Sequence, residues 1–467
     1  NILSAAKDLS VVARHSARFH ATYQGMRGTG KGKPRIVGYS STAFVCASLI
    51  LGVALVGTWT GVRAQEASPL FLGDDPRVDA SEFRVTVFAR DLFFPMGMVS
   101  LPDGSLLVGT SVPAGGGYFD STGQLRRLVD EDGDGVADDG GTVLADDLHG
   151  TIVAVSRGGN LVFVTSAEAG RERIAVLRRG ESWADPLTPA GHINFRFVGF
   201  DHQSYGLAVR SVAGDERRYE LFFNVGASGN DTAGRTVKMT GLVSATLEDA
   251  SLYRAVVDDT GQKPAVSEPE LIATGLRNAA AFTFDPKTGD LLIAENGIDT
   301  PEDPIVALSA DEIDRIPAGE IGGKAEDFGF PDSYVDYHTG ETVGERGNPP
   351  AVAFLPIDGS ENEGAASIAV APAAFPDGLN AGVFVGFHGQ WDDSGLANEE
   401  NPVLYADPAT GETVAIVAND DPNVGHLDSL LATDDALFAA DLCGGSRGSL
   451  VGNEPCGVIY GIRADTP

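Results

Sequence analysis

One hairpin recurs along the chain, and that recurrence restricts the fold more than any other feature. Each copy is a short apolar strand, a tight polar turn and a second apolar strand. Clear copies are MGMVSLPDGSLLVGT at 96–110, HGTIVAVSRGGNLVFVTS at 149–166, YGLAVRSVAGDERRYELFFNVG at 205–226 and NAAAFTFDPKTGDLLIAENG at 278–297. Weaker copies follow at 365–389 and 427–441. Asp-Gly, Gly-Gly and Thr-Gly turns between alternating strands are hairpin signals. Six copies separated by further strands predict an all-β, six-bladed β-propeller, in which radial repetition leaves few open edges. A β-sandwich or β-helix would not need the same hairpin six times.

Composition agrees. The chain has 59 glycines, 25 prolines and 43% hydrophobic residues, a turn-rich balance with enough apolar side chains for a core. Few stretches keep a helical apolar period for three turns. The longest intervals between copies, 227–270 and 298–364, are rich in Gly, Pro, Asp and Glu and read as loops on one face, where function collects.

Charge is unevenly spread. Residues 1–64 hold 8 of the 33 basic residues and 1 of the 66 acids, which leaves a formal charge near −40 on the rest. A surface that acidic repels nucleic acid and anionic lipid, so neither is an expected partner. Arg27, Lys31, Lys33 and Arg35 precede an uncharged stretch at 36–62, and Val62-Arg63-Ala64 follows. That order describes a secretory signal peptide over 26–64, or an anchor if it is not cleaved, and gives the membrane its single route of contact. Met26 stands directly before the basic stretch, so residues 1–25 read as upstream sequence. The propeller is expected over 75–465, in a periplasmic or secreted protein. Cys443 and Cys456 bracket a Gly-rich loop, where a disulfide would contribute about 3 kcal/mol.

Three constellations could carry chemistry. Asp130, Asp132, Asp134 and Asp138, with Gly135 at the sixth position, match the first part of a calcium loop. Gly141 stands where such a loop has its bidentate Glu, so the expectation is a structural ion between blades 1 and 2. Asp201-His202 opens the third copy, where the acid could orient the imidazole as a general base. Arg277-Asn278 opens the fourth and pairs a planar cation with an amide, suited to an anionic or quinonoid ligand. Each has a plain alternative: an acidic turn, a surface histidine, a blade cap.

The ordered set DHQSYG, GLRNAAAFTFDPKTGDLLIAENG, DEID with FGFP, and VFVGFHGQW resembles the glucose/sorbosone dehydrogenase family. Its members include soluble quinoproteins that use pyrroloquinoline quinone (PQQ) and Ca²⁺ on a six-bladed propeller. The resemblance runs from about Phe83 to Ile462. It implies that His202 takes the substrate hydroxyl proton, oriented by Asp201, and that Arg277 and Asn278 contact the quinone. It implies that the carbonyls of Gly297 and Ile298 hold the cofactor calcium, followed by the acidic pair Asp311 and Glu312. Departures are Asp392-Asp393 in place of Asn-Arg, and Asn423-Val-Gly425-His426 in place of a Gly-Arg-Pro segment. PQQ bears three carboxylates, so Lys324 or Arg346 would have to replace the lost cations, and His388 of HGQW is a further cofactor-side candidate.

The resulting expectation is a PQQ- and calcium-dependent oxidoreductase acting on a sugar or small polyol. Its electrons would pass to an external cytochrome or quinone, since no CxxCH haem motif is present. The rivals are a calcium-dependent lactonase-like hydrolase and a non-catalytic propeller that binds carbohydrate or protein.

Overall fold

The computed structural model describes residues 70–465, apart from positions 74, 169 and 346 and segments 301–306, 357–361, 390–401, 418–424 and 444–449. The leader segments 1–25 and 26–64, Arg346, Asp392-Asp393 and Asn423-Val424 therefore lie outside the described residues.

Six sheets form six blades of a β-propeller. The inner hairpins are Met98–Ser100 with Leu106–Pro113, Thr151–Gly158 with Leu161–Glu168, and Leu207–Val212 with Asp215–Val225. The circuit continues with Ala279–Phe284 and Leu291–Glu295, Ala365–Val370 and Val383–Phe387, then Ser429–Ala432 and Ala436–Asp441. Each repeat read from the sequence is the inner pair of one blade. The second strands lie between neighbouring blades and are covered on both sides. Leu291–Glu295 and Val383–Phe387 are buried at every position. Such strands read as continuous apolar runs, while the third strand Arg171–Arg178 alternates. That contrast made the hairpins visible and the outer strands faint.

Packing between blades holds the ring. Phe163, Phe195 and Phe223 meet in one cluster between blades 2 and 3, each large side chain contributing about 1.5–3 kcal/mol on full burial. The two long intervals are more structured than loops. Thr236–Gly241 and Ala245–Glu248 leave blade 3 and add two strands to blade 2, pairing with Thr188–Arg196. Glu326–Asp327 leaves blade 4 and pairs in parallel with Glu270–Thr274 of blade 3. Blades 2 and 3 thus reach six strands each, two more than the other four blades. The ring closes through the chain's first strand: Phe83–Leu92 lies outermost in blade 6, paired with Gly457–Ala464.

The six inner strands line a central channel of about 340 Å³. One face of the ring carries the starts of the inner strands and the ends of the second strands. At Gly97, on this face, φ is +76° and a Cβ would stand 2.6 Å from the Val155 amide nitrogen. A side chain there would wedge blades 1 and 2 apart.

Candidate functional site

The face that holds the inner-strand starts also gathers buried polar side chains. His202 sits there, 1% exposed, just before blade 3. Its loop is fixed from two sides. The buried Glu172 of blade 2 accepts the Ser204 amide with both carboxylate oxygens, at 3.0 and 2.9 Å. Asn224 Oδ1 accepts the amides of Tyr205 and Gly206, both at 2.9 Å. Burial pushes the Glu172 carboxyl well above its usual range, opposed by the Ser204 hydrogen bond. Neither residue was singled out by spacing: Glu172 lies between Arg171 and Arg173, and Asn224 interrupts an apolar run of the third repeat.

His202 and Arg277 flank the same short stretch of chain. The His202 amide donates to the Ala227 carbonyl at 3.2 Å, and the Ala227 amide donates to the Arg277 carbonyl at 2.8 Å. Gly226 permits this approach, because a Cβ there would lie 2.7 Å from His202 Cβ. Asp201 is half-buried beside it, its amide donating to the Ser228 carbonyl. Two residues 75 positions apart in the sequence thus meet on either side of Ala227.

Arg277 is 2% exposed. Its Nη2 donates to Asp299 Oδ2 at 2.8 Å and to Asn230 Oδ1 at 2.6 Å, and its Nε donates to the Asn230 carbonyl at 2.9 Å. Nη1 is buried without a hydrogen-bond partner. Asn230 lies in the long third-blade interval and had no sequence signal. Asn278 donates through Nδ2 to Asn296 Oδ1, and Asn296 Nδ2 donates to the Ala365 carbonyl. A carbonyl can only accept, so this relay fixes both amides and leaves Asn278 Oδ1 buried without a hydrogen-bond partner.

Behind Arg277 lies a set of buried acids. A cavity of about 20 Å³, room for one water or ion, is lined by Glu295, Glu312 and the Gly297–Ile298 backbone among others. Burial, then the charges of Asp314 and Glu312, raises the Glu295 carboxyl well above its usual range. Asp311 is pushed up to about 6 by burial. Its two oxygens accept the amides of Gly297 and Ala365 at 2.7 and 2.6 Å. The Ile298 carbonyl accepts the amides of Leu308 and Ser309 at 2.7 and 3.1 Å. As folded, Asp311 and Ile298 serve the chain's own backbone, and this arrangement does not fit a calcium held by the 297–298 carbonyls.

His388 ends the second strand of blade 5, fully buried, with Nδ1 2.9 Å from Asp428 Oδ1. It stacks on His426, which sequence reading noted as a departure and not as a functional residue. Lys324 is exposed, in the segment between Asp311–Ile316 and Glu326–Asp327, and does not line the cavity behind Arg277.

The acidic loop lies apart, between the third and fourth strands of blade 1. Carboxylate oxygens of Asp130, Asp132 and Asp134 fall within 4.8 Å of one another. Asp130 accepts the amides of Gly133 and Gly135, which curls the loop around them. Asp138 turns away to accept the Glu131 amide at 2.6 Å. An all-oxygen donor set of this kind fits Ca²⁺.

No protein-family model matches the chain, and no curated protein matches it. Solved structures do. A Trichoderma reesei carbohydrate-active enzyme of family AA12 superposes with TM-score 0.51 at 15% identity, over 83% of this chain and 97% of that one. The PQQ-bound aldose sugar dehydrogenase of Streptomyces coelicolor gives TM-score 0.50 at 16% identity, over 82% and 98%. A calcium structure of the Trichoderma enzyme gives 0.50 at 15% identity. The chain shares their propeller fold. At such identity the likeness carries the architecture, and the site must be argued from its own residues.

Proposed function

We propose that the protein is an exported, PQQ-dependent oxidoreductase of sugars or small polyols. The observation that carries this reading is the pairing of buried His202 and Arg277 across Ala227 at the channel mouth. The PQQ-bound Streptomyces structure, of the same fold, supports it.

Arg277 Nη1, a buried donor without a partner, fits a quinone oxygen. Asn230 and Asp299 hold the guanidinium in place, so that this donor stays aimed as charge develops. The cofactor's carboxylates find no second buried cation on this face among the described residues. When bound, the quinone supplies the two-electron acceptor. His202 takes the substrate hydroxyl proton at a ring nitrogen, with Glu172 and Asn224 fixing the loop that presents it. The electrons leave to an external cytochrome or quinone. Calcium serves at the Asp130–Asp134 loop as a structural ion, a reading supported by its donor set and by the calcium-bound Trichoderma structure. The Cys443–Cys456 disulfide supports export to an oxidising compartment. No helix among the described residues is long and apolar enough to cross a membrane.

Reconstitution tests the reading. Protein incubated with PQQ and Ca²⁺ should retain a quinone absorbance after gel filtration, and added aldose should bleach it. Failure to retain PQQ at any calcium concentration overturns the proposal.

A further inference from the structure

Blades 5 and 6 meet at two imidazoles that the chemistry above leaves unused. His388 ends the second strand of blade 5, and His426 precedes the inner strand of blade 6; each is 1% exposed. Their rings stack with centroids 4.1 Å apart and planes 17° from parallel. His426 Nδ1 lies 2.8 Å from the His388 carbonyl oxygen. That oxygen can only accept, so Nδ1 carries the proton and Nε2 carries the lone pair. Nε2 is buried and has no hydrogen-bond partner. Around it the backbone is held firmly: Asp441 accepts the amides of Gly425 and His426 at 2.8 and 3.0 Å.

A buried acceptor without a donor costs about 1–3 kcal/mol, and native structures seldom keep one without use. A shared metal ion is one use, and the geometry excludes it. Stacked, near-parallel rings send their lone pairs along parallel lines in separate planes, which do not converge on one ion. An anion is excluded as well, because an imidazole lone pair has no proton to give it and meets the anion's own lone pairs with repulsion. What remains is a ligand that donates a neutral hydrogen bond. His426 stands at the start of an inner strand, as His202 does, and Asp428 two residues on lines the channel. His202 and His426 therefore precede inner strands on the same face of the ring.

We propose that His426 Nε2, oriented by the His388 carbonyl, is a hydroxyl-reading acceptor of the ligand site and selects against a carboxylate at that position. This rests on the sugar reading above. Burial pushes the His426 ring down to about 3, which keeps the acceptor uncharged throughout the neutral range.

The test is calorimetric binding of D-glucose, D-xylose and D-glucuronate to the full chain, with PQQ-dependent turnover measured in parallel. His426→Phe keeps a ring in the stack and removes the acceptor. It should weaken the neutral sugars five- to twentyfold and erase their advantage over glucuronate. His426→Asn can still donate to the His388 carbonyl through Nδ2 while offering Oδ1, and should retain most of the preference; it also serves if the Phe variant does not fold. Equal sugar affinity in wild type and His426→Phe overturns the proposal. So does tighter binding of glucuronate than glucose by the wild type, or no binding of either neutral sugar. His426-dependent sugar binding without any PQQ-dependent turnover overturns the dehydrogenase reading and upholds this one. Turnover with a KM unchanged in His426→Phe does the reverse.

Discussion

Replacing Arg277 by methionine should destabilise the whole propeller, and the structure sets the size of the effect. The guanidinium is 2% exposed, its partner Asp299 9%, and three hydrogen bonds run from it to Asp299 and Asn230. Methionine fills much of the same volume but leaves the Asp299 carboxylate without its counter-charge in the interior. Breaking one side of a buried ion pair typically costs about 3–5 kcal/mol, whereas replacing both partners by apolar residues is near neutral. Urea unfolding followed by circular dichroism should therefore show Arg277→Met losing about 3–5 kcal/mol. The double variant Arg277→Met/Asp299→Leu should recover most of that loss while still failing to bind PQQ. The pair thus separates the structural duty of the guanidinium from its duty toward a ligand. A single variant that loses less than about 1 kcal/mol, or a double variant no more stable than the single, would refute the reasoning.

His202→Ala should keep PQQ binding while lowering turnover about 10²–10⁴-fold, read from single-turnover quinone bleaching. Chelation should lower the melting temperature, because a ligand at a hundredfold excess over its dissociation constant stabilises by about 2.7 kcal/mol; Asp132→Ala with Asp134→Ala should abolish that sensitivity. Burial pushes Asp441 from 3.8 up to about 7. The folded state therefore binds the extra proton between those values, and stability contributed by this group is full below about pH 4 and lost as pH rises toward 7. Asp441→Asn should flatten the pH dependence of unfolding free energy in that window by up to about 1.4 kcal/mol per pH unit. Reducing the Cys443–Cys456 bond should cost about 3 kcal/mol in a denaturant titration under reductant.

What was legible in the sequence follows from what lies on both sides of each strand. Leu291–Glu295 is covered by neighbouring blades on both faces, so its first four residues are apolar and the hairpin stands out. Thr236–Gly241, with an alternating burial of its six residues, sits at the outer margin of a blade it reaches from another, and nothing local announces that destination. His202 and Arg277 were legible because each opens a repeat. Asn230 and Glu172 were not, because their roles come from contacts across blade boundaries, and Asn224 was not, because its side chain serves a loop rather than a strand partner. The acidic triplet Asp130, Asp132 and Asp134 was legible because its carboxylates are local in sequence, which let spacing stand in for geometry. Lys324 was legible as a cation in the long interval, and the structure leaves it exposed and outside the cavity lining.

The closure of the ring by Phe83–Leu92 has a consequence for how the molecule comes into being. Phe83 pairs with Ala464 and Leu92 with Gly457, so the first strand to leave the ribosome finds its partner among the last. Until then blade 6 lacks its outer edge and blade 1 has no neighbour on one side, leaving unpaired strand edges open to other chains. Contacts of such sequence separation also form slowly, since loop closure precedes their reward. An incomplete ring therefore stays open and threadable, and the last strands delivered lock it.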